Sequence, residues 1–105
     1  MKGIVWMGSS LQDLIAFPAS VRRNAGYQLD KVQRGADPDD WKPMSTIGAG
    51  VREIRIRDDE GAFRVLFVAN IGNAVYVLHA FQKKTAKTGL HDLRLAGQRL
   101  KQIKR

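Results

Sequence analysis

Residues 51–67, VREIRIRDDEGAFRVLF, predict a β-hairpin in a chain of 105 residues. Apolar and polar side chains alternate before the turn-forming DDEG, and an apolar run interrupted only by Arg64 follows it, as expected for two paired strands of a core sheet. Because alternate side chains of a strand point to opposite faces, Ile54 and Ile56 are predicted to lie on one face of the sheet. The side chains on the opposite face of this strand are then Glu53, Arg55 and Arg57.

The second strand of this hairpin carries an arginine in an apolar setting. Arg64 shares its predicted face with Leu66 and Val68, so its guanidinium is not expected to be fully solvated. A half-buried cation is costly unless it meets an anion. That anion is either Glu53, which would make Arg64 a structural residue, or a phosphate, which would make it a functional one.

The remaining patterns predict a single α+β domain over residues 1–105, in which two N-terminal helices pack on a small antiparallel sheet and a C-terminal helix follows. Residues 36–50 contain two prolines and two glycines and predict a loop. The other strands are predicted at residues 3–6 and 74–82, and the two strands of the hairpin at 51–57 and 63–69. The helices are predicted from residue 10, from 18 to 34, and from 90 to 103.

The positive charge of the chain is concentrated near its C-terminus. The formal net charge is +8, and residues 79–105 carry eight Lys and Arg against one acidic side chain. Such a segment attracts polyanions, so RNA, DNA or an acidic protein are the expected partners. A solvated, charged helix face is the alternative. The absence of cysteine, of a signal peptide and of a long apolar stretch predicts a cytoplasmic protein with no membrane partner.

Metal and cofactor sites are not predicted. Bound divalent ions need clustered carboxylates or histidines, whereas most acidic residues of this chain fall in predicted turns and loops. RNA cleavage can proceed without a metal because the 2′-hydroxyl of RNA is itself the nucleophile. Such cleavage requires a base near that oxygen, cations around the phosphate and a donor for the leaving oxygen, and arginine and lysine can supply the last two.

Three segments carry a resemblance to a known protein family: DDWKPMSTIGAGVREIRIRD (39–58), GAFRVLFVA (61–69) and VYVLHAFQKKTAKT (75–88). With the amphipathic basic helix that follows them, they resemble the RelE/HigB superfamily of bacterial type II toxins, in particular its phage-derived, HigB-like branch. The resemblance implies a RelE-like fold and a toxin that cleaves messenger RNA, commonly on the translating ribosome. It also implies a cognate antitoxin as partner, with a helix-turn-helix domain expected in it.

The resemblance places Arg64 at the sheet arginine of the family and Arg55 and Arg57 at its basic positions on the preceding strand. QKKT, residues 82–85, corresponds more loosely to the basic end of the last strand. The predicted catalytic residues are Arg64, His79 and Lys84. The predicted RNA-binding residues are Arg55, Arg57, Phe81, Lys83 and Lys87.

Each of these residues also has a structural interpretation. His79 is predicted on the same face as Val77 and Phe81, where a histidine is often packed and hydrogen-bonded. Phe81 can belong to the core, and lysines after a strand can simply be solvated. At the level of function, the alternatives are a non-catalytic basic module that acts on gyrase, as ParE-like toxins do, or on nucleic acid, and an inactive prophage remnant.

Overall fold

The computed structural model describes residues 1–103, and within them three helices pack on a five-stranded sheet. Lys104 and Arg105, two of the cations counted above, lie outside the described residues. The elements are β1 (Gly3–Trp6), α1 (Ser10–Ile15), α2 (Ala19–Gln33), β2 (Trp41–Pro43), β3 (Val51–Asp58), β4 (Gly61–Ile71), β5 (Ala74–Lys83) and α3 (Leu90–Lys101). The predicted α+β fold is confirmed.

The sheet is mixed, with strand order β1-β5-β4-β3-β2. The predicted antiparallel hairpins of β3, β4 and β5 are present, but the sheet as a whole is not antiparallel as predicted, because β1 adds to β5 in parallel. Parallel pairing is possible because the long connection through two helices separates β1 from the other strands. β2 lies inside the predicted loop and pairs with β3 as a three-residue edge strand. Pro43 is tolerated there because an edge strand needs no second hydrogen-bonded neighbour.

The helices cover both faces of the sheet. On one face, α1 and α2 bury a core with the sheet residues Ile54, Ile56, Phe63, Val65, Phe67, Val75, Val77 and Ala80. On the other face, α3 and the residues after it pack on Val51, Leu66, Val68 and Leu78. The charged residues of β3 and Arg64 share this second face, which we call the α3 face. The alternation of side chains along β3 and β4 therefore correctly predicted that these charged residues lie on one face of the sheet.

A β-bulge in β5 changes the alternation that the sequence predicted there. Leu66 pairs with His79 and Phe67 pairs with Val77, so Leu78 is an extra residue in the ladder. Val77 accordingly packs with α1 and α2, whereas Phe81 packs on the α3 face and stacks on His79. The prediction that His79 shares its face with Phe81 was correct. The prediction that His79 also shares this face with Val77 was wrong, because the extra residue in the bulge moves Val77 to the opposite face of the sheet.

Arg99 of α3 ties this helix to the segment before α1. Its side chain is 8% exposed and donates hydrogen bonds to the carbonyl oxygen of Leu78 (Nη1, 2.9 Å) and to Ser9 Oγ (Nη2, 3.0 Å). Gly8 lies against the same guanidinium with φ +53, so a Cβ at this position would overlap Arg99. Part of the C-terminal positive charge is therefore used to hold the fold together.

We expect Gly8→Ala to destabilise the protein more than Gly72→Ala, a matched control. Both glycines have positive φ (+53 and +58), and an alanine in that conformation costs about 1–2 kcal/mol. Only at Gly8 does the new methyl group also meet Arg99, which adds about 1–3 kcal/mol of overpacking. Urea unfolding of the two variants measures the difference. Equal unfolding free energies would show that Arg99 moves aside without cost.

Candidate nucleic-acid interface

A buried ion pair lies at the centre of the α3 face. Arg64 Nε is 3.4 Å from Glu53 Oε1, and the two side chains are 4% and 0% exposed. Arg64 Nη1 donates to the carbonyl oxygen of Phe63 at 3.0 Å, and Thr88 Oγ1 donates to Glu53 Oε2 at 2.8 Å. The salt bridge that the sequence left open as the structural interpretation of Arg64 is therefore present.

Two polar atoms of this ion pair lack a well-formed hydrogen bond among the described residues. Arg64 Nε and Glu53 Oε1 are buried and make no well-formed hydrogen bond within residues 1–103. Burial lowers the pKa of Arg64, and nearby Arg55 and Arg57 lower it further, while Glu53 and Asp40 oppose them. Two carboxylates therefore act on three guanidinium groups, and an added anion would relieve the repulsion among them.

Four further cations surround Arg64 on the same face, and we call this set of five residues the basic cradle: Lys42, Arg55, Arg57, Arg64 and Lys83. The register of the strands brings these residues together. Arg55 of β3 pairs directly with Arg64 of β4, and Ala62 of β4 lies between its partners Arg57 on β3 and Lys83 on β5. Lys42 pairs with Glu53 from the edge strand β2. Directly paired residues of antiparallel strands have Cα atoms about 4.5–5.5 Å apart, so the cradle concentrates positive charge in a small area.

Burial and the positive charge of the cradle lower the pKa of Lys83. Its side chain is half-buried, and burial lowers its pKa, followed by the repulsion from Arg64, Lys42 and Arg55, while Glu53 opposes the shift. Arg55 and Lys42 are also half-buried, and Arg57 is exposed. The cradle thus offers accessible cations above a buried one. Lys42 was missed by the sequence reasoning because it falls in a predicted loop, and only its pairing with β3 brings it to the site.

The two other predicted lysines lie beyond the end of β5. Lys84 and Lys87 are exposed in the segment between β5 and α3. Among the described residues, neither side chain makes a hydrogen bond or salt bridge to the cradle. They extend the positive surface along the chain, and the roles predicted for them stay predictions.

His79 is enclosed by neighbouring side chains. It is 5% exposed, its Nε2 lies 2.7 Å from Asp92 Oδ1, and its ring stacks on Phe81 at a centroid distance of 4.9 Å. Nδ1 is buried and has no hydrogen-bond partner within residues 1–103. In this conformation the ring supports Phe81, which is half-buried. Asp92 was not singled out by the sequence reasoning, although its place in the first turn of α3 is a common position for a carboxylate.

Polar contacts attach both ends of α3 to the sheet. Asp92 contacts His79 near the start of the helix, and Arg99 contacts Leu78 near its end. Thr88, just before the helix, bonds Glu53. Within residues 1–103, no group of three or more His, Cys, Asp or Glu side chains is arranged to hold a metal ion. No helix in the same range is long and apolar enough to cross a membrane.

The fold and the cradle define a small α+β protein with one strongly basic sheet face, which suits a polyanionic partner. The model of a family described as phage-derived protein Gp49-like (DUF891) matches residues 12–101, so the chain belongs to this family. The family is typically linked to RelE-like toxins of toxin–antitoxin systems. No curated protein matches the chain.

Proposed function

We propose that this protein is the toxin of a type II toxin–antitoxin system and cleaves messenger RNA on the ribosome without a metal ion, as HigB-like relatives of RelE are expected to do. The observation that carries the proposal is the basic cradle, in which Arg55 and Lys83 flank the buried Arg64. Family membership and the charge of the chain support the same conclusion. The activity belongs to the cytoplasm, where ribosomes are found.

The cradle suits the charge that develops on a phosphate during attack by the 2′-hydroxyl. Arg55 and Lys83 are accessible enough to contact the phosphate oxygens, and Arg64 strengthens the positive potential from beneath them. Preorganised cations of this kind stabilise the transition state more than the ground state. Arg57, Lys84 and Lys87 then contact the neighbouring backbone of the RNA, where charge rather than geometry determines affinity.

Lys84 and His79 are the two predicted groups for proton transfer, and their different environments suit them to different roles. Lys84 is exposed directly after β5, whereas the side chain of His79 is buried against Asp92 and Phe81. We therefore assign proton transfer to Lys84 and the support of Phe81 to His79. Single-turnover cleavage by Lys84→Ala and His79→Gln checks this assignment, because only the former should lose rate without losing thermal stability.

The direct experiment is RNA cleavage in a translating extract. Primer extension on a defined messenger RNA should show cuts with the parent protein and weaker cuts with Lys83→Ala. Cleavage of free RNA in the presence of EDTA would show that the chemistry needs neither a metal ion nor the ribosome. Intact RNA together with inhibition of gyrase supercoiling would replace this proposal with a gyrase-directed binding module. Intact RNA with active gyrase would identify an inactive remnant.

The pKa of Lys83 leads to a pH-dependent prediction. A lowered pKa means that Lys83 loses its proton, and with it its attraction for phosphate, at a lower pH than an ordinary lysine. The affinity of the parent for 2′-O-methyl RNA, which resists alkaline cleavage, should therefore fall earlier on raising the pH than that of Lys83→Arg. Superimposable pH profiles of the two proteins would contradict a role for Lys83 in phosphate binding.

An antitoxin with an acidic or amphipathic segment is the proposed protein partner, with a helix-turn-helix domain for its own DNA binding. Such a segment would neutralise the cradle and prevent RNA from entering it. Co-expression with the adjacent reading frame should give a stable complex and restore growth. If products of all neighbouring genes fail to bind, the interpretation as a prophage remnant is favoured.

A further inference from the structure

A groove of about 520 Å³ lies beside the cradle, between α1, the second half of β5 and the start of α3. Its lining includes Phe17, Phe63, His79, Phe81, Gln82 and His91. We propose that this groove holds one unstacked nucleobase of the RNA, so that the protein reads the identity of a base next to the phosphate it binds. The inference rests on the proposed function and adds a specificity site to it.

The groove exists because β1 is too short to cover β5. β1 pairs only with residues 74–77, and the outer edge of residues 79–83 pairs with no strand within the described part of the chain. Every second residue of a strand turns its N–H and C=O toward such an edge. The groove therefore offers backbone donors and acceptors of the kind that hydrogen-bond the edges of a base.

The side chains of the groove match the chemistry of a heterocycle. The rings of His79 and Phe81 stack with an interplanar angle of 19°, and the half-buried Phe81 is the more accessible of the two, while Phe17 and Phe63 form a buried, tilted pair with centroids 5.0 Å apart. Aromatic surfaces of this kind stack on unpaired bases in RNA-binding proteins. Gln82 Nε2 donates to the carbonyl oxygen of Glu60, which fixes the amide and leaves its oxygen as an acceptor. His91 is exposed and adds a second polar group.

The groove is continuous with the cradle through Phe81. This residue is the direct cross-strand partner of Arg64 and lies two positions before Lys83, on the same face of β5. A phosphate bound by Arg55 and Lys83 therefore places its nucleoside near Phe81, at the entrance of the groove. Adjacent phosphate and base sites explain why an aromatic residue and two lysines occur so close together in FQKK, residues 81–84.

A peptide strand is the competing occupant of an open strand edge. Two features favour a base. The free edge spans only residues 79–83 and starts at the bulge, which distorts the ladder that an added strand would have to continue. The lining of the groove also includes the rings of Phe81 and His91, which backbone pairing does not require.

The test combines base preference with direct binding. We expect the parent to prefer one base at the cleavage position, and Gln82→Ala and His91→Ala each to reduce that preference about tenfold while the affinity for total RNA changes little. Gln98→Ala, at an exposed position of α3 outside the groove, is the matched control and should leave the preference unchanged. An unchanged preference in both groove variants would overturn the inference.

Binding of mononucleotides separates this inference from the proposed function. In NMR titrations of the parent, nucleoside monophosphates should shift the resonances of His91 and Phe81, whereas ribose 5-phosphate should shift only those of the cradle. If the protein cleaves no RNA, the proposed function fails, and these titrations still decide whether the groove binds a base. Shifts in the groove with an antitoxin peptide and none with nucleotides would assign it to the peptide instead.

Discussion

Arg64→Ala is expected to lower the cleavage rate by about 10²-fold or more, the scale of losing one preorganised charge donor, and also to destabilise the fold. The loss of stability arises because the substitution leaves Glu53, which is 0% exposed, without its cation. Breaking a buried pair from one side costs about 3–5 kcal/mol. Urea unfolding measures the second effect, and single-turnover cleavage measures the first.

The double variant Glu53→Gln with Arg64→Met separates the two effects. Removing both charges leaves no unpaired carboxylate, so stability should recover most of what Arg64→Ala loses. Cleavage should stay low, because the cation beneath the phosphate is still missing. Parental cleavage by the stable double variant would remove Arg64 from the active site. Parental stability of Arg64→Ala would instead show that Thr88 and the surrounding cations suffice to hold Glu53.

The second large effect is expected from reversing the accessible charges of the cradle. Arg55→Glu with Lys83→Glu should weaken RNA binding by about 10²-fold or more, because two attractions to phosphate become repulsions. The slope of log affinity against log salt should become shallower by about 0.7 for each phosphate of single-stranded RNA that the variant no longer neutralises. Filter binding over a series of salt concentrations gives both quantities.

Arg22→Glu with Arg23→Glu provides the control for net charge. Both arginines are exposed on α2, which packs on the opposite face of the sheet, and the change in formal charge is the same. This control should retain most of the affinity and most of the salt slope. Equal losses in the two double variants would mean that RNA responds to the overall charge of the protein and not to the cradle.

The sequence by itself determined the strands of the central hairpin and the grouping of their charges. Alternation of apolar and polar residues is a local property, and it placed Arg55, Arg57 and Arg64 on one face before any tertiary neighbour was known. It also left two partners open for Arg64, and Glu53 proved to be one of them. Helical spacing likewise predicted α2 and α3, because each packs apolar residues at helical spacing against the sheet, although α3 also buries Arg99 and leaves Leu90 exposed.

Only the tertiary structure decided what surrounds those charges. Three features depend on residues that are distant in the sequence, so local patterns do not predict them. They are the bulge at Leu78 and His79, the pairing of Lys42 with Glu53, and the hydrogen bond between His79 and Asp92. The groove beside β5 likewise depends on how far β1 extends along a strand that is distant in the sequence. Strand register and helix placement are set by the summed packing of both cores, so they emerge only when the whole chain is folded.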